Sequence, residues 1–410
     1  MKYVKPSRIS GAADAPPSKS LMQRALIAAA LSEGESRILN SSYCDDALAT
    51  MGAIEALGAQ IGREEKRVTV RGRENQASGT IDCGESGTCM RMITAVASLF
   101  ERKIKITGRG SLLSRPVGPI EKPLSELGVR CETGGFLPIS VQGPMRGGQA
   151  EVDGSESSQF VSGLLMALPL CDNDSQIKVL NLKSKPYVRM TLGVLSHFGI
   201  KAETDQELEN FSIPGNQRYK PAEYSVGGDW SGASFLLVAG ATAGSVTVKN
   251  LKAGEQADQA VLVALKAAGA EVKIEKDSVA VGKNELRGFE FDATDCPDLF
   301  PPLAALACSC DGESVILGAG RLRHKESDRA GVLVRELGRV GADIKVEGDR
   351  MIIRGRKLSG GEVESHNDHR IAMAAAVAAL NSENGIRIAG EECIGKSYPK
   401  FFEELERLIS

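Results

Sequence analysis

The chain has 410 residues, with 50 Lys and Arg against 53 Asp and Glu and a formal net charge of -3. At about 150 residues per domain it is too long for one small core, so two domains are expected. The near-neutral balance excludes the uniform basic excess of a non-specific nucleic-acid binder, and any cationic site must be concentrated. Hydrophobic residues make up 42% but aromatics only 4%, so the core has to be built from Ala, Val, Leu and Ile. Nine cysteines without a C-x-x-C pair give neither a disulfide framework nor a zinc pattern, and Cys308 and Cys310 read as small buried hydrophobes. The first twenty residues lack the apolar stretch of a signal peptide, and no segment nears the roughly 18 apolar residues of a membrane span. These features point to a soluble, reduced, cytoplasmic protein.

One phrase recurs along the chain: a polar turn with Gly or Ser, an Ala/Leu-rich helix, then a short strand. Its instances are PPSKSLMQRALIAAALSEGESRIL, GESGTCMRMITAVASLFERKIKI, SESSQFVSGLLMALPLCDNDSQIKVL, GDWSGASFLLVAGATAGSVTV, DCPDLFPPLAALACSCDGESVIL and SHNDHRIAMAAAVAALNSENGIRI, spaced by about 65 to 75 residues. Between them runs a second phrase, an amphipathic helix ending near Gly followed by two short strands, as in RAGVLVRELGRVGADIKVEGDRMIIRG. Each repeat is therefore β-α-β-α-β-β. The sixth lacks its last strands, and the N-terminal KYVKPSRISG is of the missing kind. That segment is expected to complete the C-terminal half, giving three repeats per domain. The boundary falls near YSVGGDW, with Gly227 and Gly228 as hinge candidates and a second crossover between Ala12 and Pro16. A cleft between domains favours ligand binding.

The turns are not equivalent. Ser18-Lys19-Ser20 offers hydroxyls and free N–H groups at a helix start, with Arg24 one turn on from Ser20. In CGESGTCMRM, Gly87 permits close backbone approach, with Thr88 and Arg91 following. SESSQF adds Ser157, Ser158 and Gln159. In the second half, Arg321, Arg323, Lys325, Glu326, Asp328 and Arg329 crowd the start of one helix, where cations oppose the macrodipole unless an anion is near. Asp368, His369 and Arg370 open an almost wholly apolar helix, and Lys396 lies between Gly395 and Ser397. The alternative is an ordinary set of caps and solvated charges on a non-catalytic six-repeat scaffold.

In order and over nearly the whole chain, PPSKSLMQRAL, ESGTCMR, SRP, SSQF, SKPY, DCPD, RHKESDR, NDHR and GKSYP resemble the enolpyruvyl transferase family, specifically its 5-enolpyruvylshikimate-3-phosphate synthase (3-phosphoshikimate 1-carboxyvinyltransferase) branch. KESDR and NDHR separate it from the branch acting on UDP-N-acetylglucosamine, whose loop cysteine has no counterpart near SLLSRPVGP. Transfer to a UDP-sugar is the alternative reaction.

The resemblance implies an α/β fold of two domains, each three β-α-β-α-β-β units in an inside-out α/β barrel, joined by two crossovers around a cleft. Residues 14–226 would form the shikimate 3-phosphate side, and 1–13 with 227–410 the phosphoenolpyruvate side. The implied reaction moves the enolpyruvyl group of phosphoenolpyruvate to the 5-hydroxyl of shikimate 3-phosphate and releases phosphate through a tetrahedral intermediate, in the shikimate pathway to chorismate and aromatic amino acids. No cofactor or metal is implied, nor a nucleic-acid or membrane partner, and a monomer is expected. By the same resemblance shikimate 3-phosphate is bound by Lys19, Ser20, Arg24, Ser157, Ser158, Gln159, Ser184, Tyr187, Asp298 and Lys325. Phosphoenolpyruvate is bound by Lys19, Gly87, Arg115, Gln159, Arg329, Arg370 and Lys396. The catalytic set is Asp298, Glu326 and Lys19. Three positions depart from the family pattern: Glu85 replaces an Asn, Met92 a Pro, and Arg321 an Asn that contacts the ring. Glu85 is expected to pair with a cation or point away from the ligand.

Overall fold

A computed structural model describes residues 1–72, 77–254, 256–323 and 325–409. His324, inside the RHKESDR run, lies outside the described residues. The chain divides into two compact units, Pro17–Val226 and Met1–Pro16 with Gly227–Ser410. The first crossover thus falls three residues beyond the expected 13/14 boundary. Strand pairing explains the shift: Ile9–Asp14 runs parallel to Gly244–Lys249, and the Ala15 N–H still donates to the Lys249 carbonyl at 3.0 Å.

The repeat is seen most simply in the stretch from 149 to 213. Strand Gln149–Asp153 leads through helix Ser158–Ala167 to strand Ser175–Leu180, which lies parallel to the first. Helix Lys185–His197 follows, and then the hairpin of Glu203–Thr204 and Asn210–Ile213, whose second strand pairs antiparallel with Ser175–Leu180. Among the described residues this pattern yields five four-stranded sheets and one of three strands. In Pro17–Val226, strand Glu223–Ser225 returns beside Glu35–Leu39 and supplies the opening strand of the first repeat. In the other unit, Lys2–Val4 pairs antiparallel with Ile386–Ala389 in the three-stranded sheet. The N-terminal segment therefore serves two sheets of the C-terminal half.

The first helix of each repeat is apolar over most of its length, and a helix of that kind must be enclosed. Every residue of Trp230–Ala243, Phe300–Cys308 and His369–Leu380 is buried. Sheets lie outside and helices inside, and the alanines of AMAAAVAAL let the helices approach closely. The second helix is amphipathic: Arg329–Arg339 buries Arg329, Ala330, Val332, Leu333, Glu336 and Leu337, one stripe at helical spacing. A glycine in the left-handed conformation follows it, as at Gly58 and Gly341, both at φ +102°. Each unit has its own hydrophobic core.

All nine cysteines are free; Cys308 and Cys310 are buried in the core. Among the described residues no helix is long and apolar enough to cross a membrane, and no cluster of three or more His, Cys, Asp or Glu is arranged to hold a metal.

Helices Gly87–Ala97 and Ser158–Ala167 meet at Gly163. A Cβ there would lie 2.9 Å from the Arg91 carbonyl oxygen and 2.9 Å from Met92 Cα. Gly163→Ala is expected to lower stability by ~1–3 kcal/mol, because backbone cannot give way as a flexible side chain can. Urea unfolding measures this, and an unchanged midpoint would contradict so close a helix approach.

Candidate functional site

Because the buried helices are mostly apolar, polar groups gather at their starts, with a few such as Gln23, Arg24 and Ser162 further along. In Pro17–Val226 three such starts are capped by serine: Ser18 Oγ accepts from Leu21 N at 3.5 Å, Ser86 Oγ from Cys89 N at 3.3 Å, and Ser157 Oγ from Gln159 N at 3.2 Å. Two amides, a buried Gln23 and a half-buried Gln159, tie them together. Gln23 Nε2 donates to Ser86 Oγ at 2.8 Å and Thr50 Oγ1 at 2.9 Å. Gln159 Nε2 donates to Thr88 Oγ1 at 2.8 Å, while its Oε1 accepts from Arg91 Nη1 at 3.0 Å.

Arg24 is the hub of this half. It is 1% exposed, and its guanidinium donates to Thr191 Oγ1 at 2.8 Å, the Ser20 carbonyl at 2.9 Å, the Tyr187 carbonyl at 3.2 Å and Ser162 Oγ at 3.5 Å. It thereby locks Ser20 and Tyr187, both expected ligand residues, into one frame. Every acceptor is neutral, and burial pushes the guanidinium down to about 10. Among the described residues no carboxylate pairs with it, so its charge is left for an incoming anion. Ser162 and Thr191 were not legible as site residues; their only mark is a hydroxyl inside an otherwise apolar helical run. Ser184, at φ +56°, precedes the helix that carries Tyr187 and Thr191.

Lys19 Nζ lies 2.9 Å from Asp46 Oδ2, both mostly buried. Two guanidinium groups lean over Gly87: a Cβ there would meet Arg115 Nη1 at 2.6 Å and Arg91 Nη1 at 2.9 Å. Glycine is thus required for their approach. Arg91, absent from the expected ligand set, also stacks 5.2 Å from the Phe160 ring centroid. The departures have local explanations. Glu85 Oε2 accepts from the backbone N–H and hydroxyl of Ser111, each at 3.4 Å. Met92 is packed in the core.

The second unit holds a denser array. Arg329 is 0% exposed and donates from Nε to Asp368 Oδ2 at 2.9 Å, from Nη1 to Asp298 Oδ1 at 2.8 Å, and from Nη2 to Glu326 Oε2 at 2.5 Å. Asp298 Oδ2 also receives Arg370 Nη2 at 3.0 Å, and Lys325 Nζ stands 3.8 Å from its Oδ1. Burial alone would push the Asp298 carboxyl up, but Arg370, Lys325 and Arg329 together hold it well below the usual carboxylate range. Asp298 is therefore no helix cap: the following helix Phe300–Cys308 has Leu299 at that position with no side-chain bond. Burial brings Lys325 down to about 8 despite the opposing pull of Asp298. Lys396 Nζ donates to the Asn367 carbonyl at 2.8 Å. Arg321 is held by the Thr294 carbonyl. The cations of this half are thus interleaved with carboxylates, Asp298 and Glu326 of the expected catalytic set and Asp368 besides, a set able to bind anions and to move protons.

A family model for EPSP synthase (3-phosphoshikimate 1-carboxyvinyltransferase) matches residues 4–405. The chain is 38% identical over 418 residues to a 3-phosphoshikimate 1-carboxyvinyltransferase of Clostridium novyi (strain NT), covering 98% of this chain and 96% of that one. It is 40% identical over 413 residues to the protein of that name from Methanocorpusculum labreanum, covering 99% and 97%. Among solved structures, an EPSP synthase from Acinetobacter baumannii superposes with a TM-score of 0.84 at 28% identity, covering 99% and 97%. The enolpyruvyl transferase NikO from Streptomyces tendae shares the fold, with a TM-score of 0.81 at 17% identity and 99% and 96% coverage.

Without Arg329, three carboxylates would face one another in a poorly solvated pocket. Arg329→Met is expected to cost ~3–5 kcal/mol at neutral pH and less near pH 4, where protonation relieves the repulsion. Urea unfolding at both pH values checks this; an equal loss at each would contradict the charge cluster.

Proposed function

We propose how the two sets of groups divide the work of one reaction, from the premise that this chain belongs to the EPSP synthase family, the 3-phosphoshikimate 1-carboxyvinyltransferases. The enzyme transfers the enolpyruvyl group of phosphoenolpyruvate to the 5-hydroxyl of shikimate 3-phosphate and releases phosphate, a step of aromatic amino acid biosynthesis. The observation that carries this is the family match along residues 4–405. It favours neither a UDP-sugar acceptor nor a non-catalytic scaffold.

In our reading Ser20, Ser157, Ser158, Gln159, Ser184 and Tyr187 hold shikimate 3-phosphate. Arg24 fixes Ser20 and Tyr187 from below and lends its uncompensated charge to the phosphate, and Lys325 serves the ring. Lys19, Gly87, Arg115, Gln159, Arg329, Arg370 and Lys396 hold the carboxylate and phosphate of phosphoenolpyruvate, where guanidinium forks suit both anions. Asp298 also contacts the shikimate ring, as its base. In this reading the enzyme acts as a cytoplasmic monomer on small molecules, without nucleic acid; the even charge balance supports the last point.

The chemistry requires two proton movements. The 5-hydroxyl loses a proton as its oxygen bonds to C2 of phosphoenolpyruvate, and the methylene carbon gains one, giving the tetrahedral adduct. The new methyl group then returns a proton as the C2–O bond to phosphate breaks and the double bond reforms. We assign the hydroxyl proton to Asp298 and the methylene proton to Glu326, aided by Lys19 or Lys396. Asp298 is a weak base while three cations surround it. Anionic substrates that engage Arg329, Arg370 and Lys325 draw that charge off, so the carboxylate gains basicity when there is a proton to take.

Purified protein given both substrates should release inorganic phosphate; no release would refute the activity. Asp298→Asn and Glu326→Gln should each lower kcat by about 10²–10⁴-fold while shikimate 3-phosphate still binds, and near-normal turnover would remove that residue from its role. Lys325 loses its proton as pH rises through about 8, so the KM for shikimate 3-phosphate should climb above that pH. In Lys325→Arg the climb should vanish; a flat wild-type profile to pH 9.5 would contradict the assignment, that upper limit being roughly one unit short of the ordinary Lys value.

A further inference from the structure

The loop that carries Asp368 adopts an unusual backbone. After strand Gly361–Glu364, His366 has φ +51° and Asn367 φ +57°, two consecutive non-glycine residues in the left-handed region, which L side chains enter rarely and usually singly. This turn supplies contacts to two cations of the site, Lys396 and Arg329. Its Asn367 carbonyl accepts from Lys396 Nζ at 2.8 Å, and the next residue, Asp368, accepts from Arg329 Nε at 2.9 Å and Ser327 Oγ at 3.1 Å. A backbone of that kind persists only where its surroundings fix it.

Glu336 supplies the fixing contacts. It lies two turns beyond Arg329 on the same helix, and its side chain is almost completely enclosed. Its Oε1 stands 2.9 Å from His366 Nε2 and accepts from Arg335 Nε at 3.0 Å; its Oε2 accepts from the Glu364 N–H and from Arg339 Nη1, each at 3.1 Å. His366 Nε2 also stands 3.1 Å from Arg335 Nη2, so the imidazole is held between the Glu336 carboxylate and the Arg335 guanidinium. One carboxylate thus grips the strand end before the turn, the imidazole within it, and the helix that starts with Arg329. Burial would raise the Glu336 carboxyl, but these hydrogen bonds bring it below its usual value, so it is ionised.

We propose that Glu336 and His366 are positioning residues for the phosphoenolpyruvate half of the site: their contact holds the left-handed turn that aims Lys396 and, through Asp368, Arg329. This rests on the reading above that Lys396 and Arg329 bind phosphoenolpyruvate. Neither residue touches substrate in this role.

The test is steady-state kinetics on the full chain for Glu336→Gln, His366→Gly and the reference variant Lys396→Met, with thermal melting to establish folding. Glu336→Gln and His366→Gly should each raise the KM for phosphoenolpyruvate about tenfold and change the KM for shikimate 3-phosphate by less than about twofold. His366→Gly is the decisive variant, since it removes the imidazole, relieves the backbone of its left-handed cost and sits at a half-buried position that should fold even if Glu336→Gln does not. A wild-type KM for phosphoenolpyruvate in His366→Gly would overturn the proposal, as would equal rises for both substrates, or a fall in kcat alone that follows the folded fraction. If Lys396→Met raises the phosphoenolpyruvate KM while the other two do not, the positioning role fails and the substrate assignment stands. If Lys396→Met leaves it unchanged, the assignment fails and the proposal falls with it.

Discussion

A guanidinium with no solvent exposure and three carboxylate partners is the constraint on which the charge cluster of the C-terminal unit depends. Burying Arg329 alone would cost several kcal/mol, and burying Asp298, Glu326 and Asp368 together without a cation would be worse. Because the charges solve each other's desolvation, four residues from three turns must arrive in one place with the right geometry. The Ala-rich buried helices make this feasible. Beyond the first-turn His369 and Arg370, His369–Leu380 is apolar, as is Phe300–Cys308 throughout, so charge is confined to the starts of these helices and the loops leading into them.

The other unit solves the opposite problem. Arg24 is buried almost as deeply as Arg329, yet its acceptors among the described residues are hydroxyls and carbonyls. One unit stores a cation with its charge unspent, the other stores cations already matched by acids. The first arrangement suits tight retention of a phosphate. The second suits proton transfer, since a carboxylate whose basicity depends on the cations around it responds when a substrate competes for them.

Much of this was legible in the sequence because it is periodic or positional. Six Ala/Leu helices with polar starts gave the repeat, the motif order gave the family, and the low aromatic content matched close helix packing. What escaped was pairing over distance. Asp298 meets Arg329 and Arg370 across 31 and 72 residues, so the sequence shows the cations but not that acids neutralise them in place. The first crossover was placed three residues early, as composition does not reveal that Asp14 still has a strand partner in Lys249. Ser162, Thr191, Glu336 and His366 were passed over for a related reason: each acts by holding another residue, and a single sequence marks such residues only by polarity in an unlikely position.

The central claim is that the cations around Asp298 keep it ionised and weakly basic until anionic substrate draws them away. The most direct measurement is the titration of the Asp298 carboxyl by carbon-13 NMR, in the free protein and with shikimate 3-phosphate plus inorganic phosphate bound. The expected result is protonation well below the ordinary value of about 4 in the free protein and a rise on binding. Ordinary titration in the free protein, or no rise with both ligands present, would contradict it.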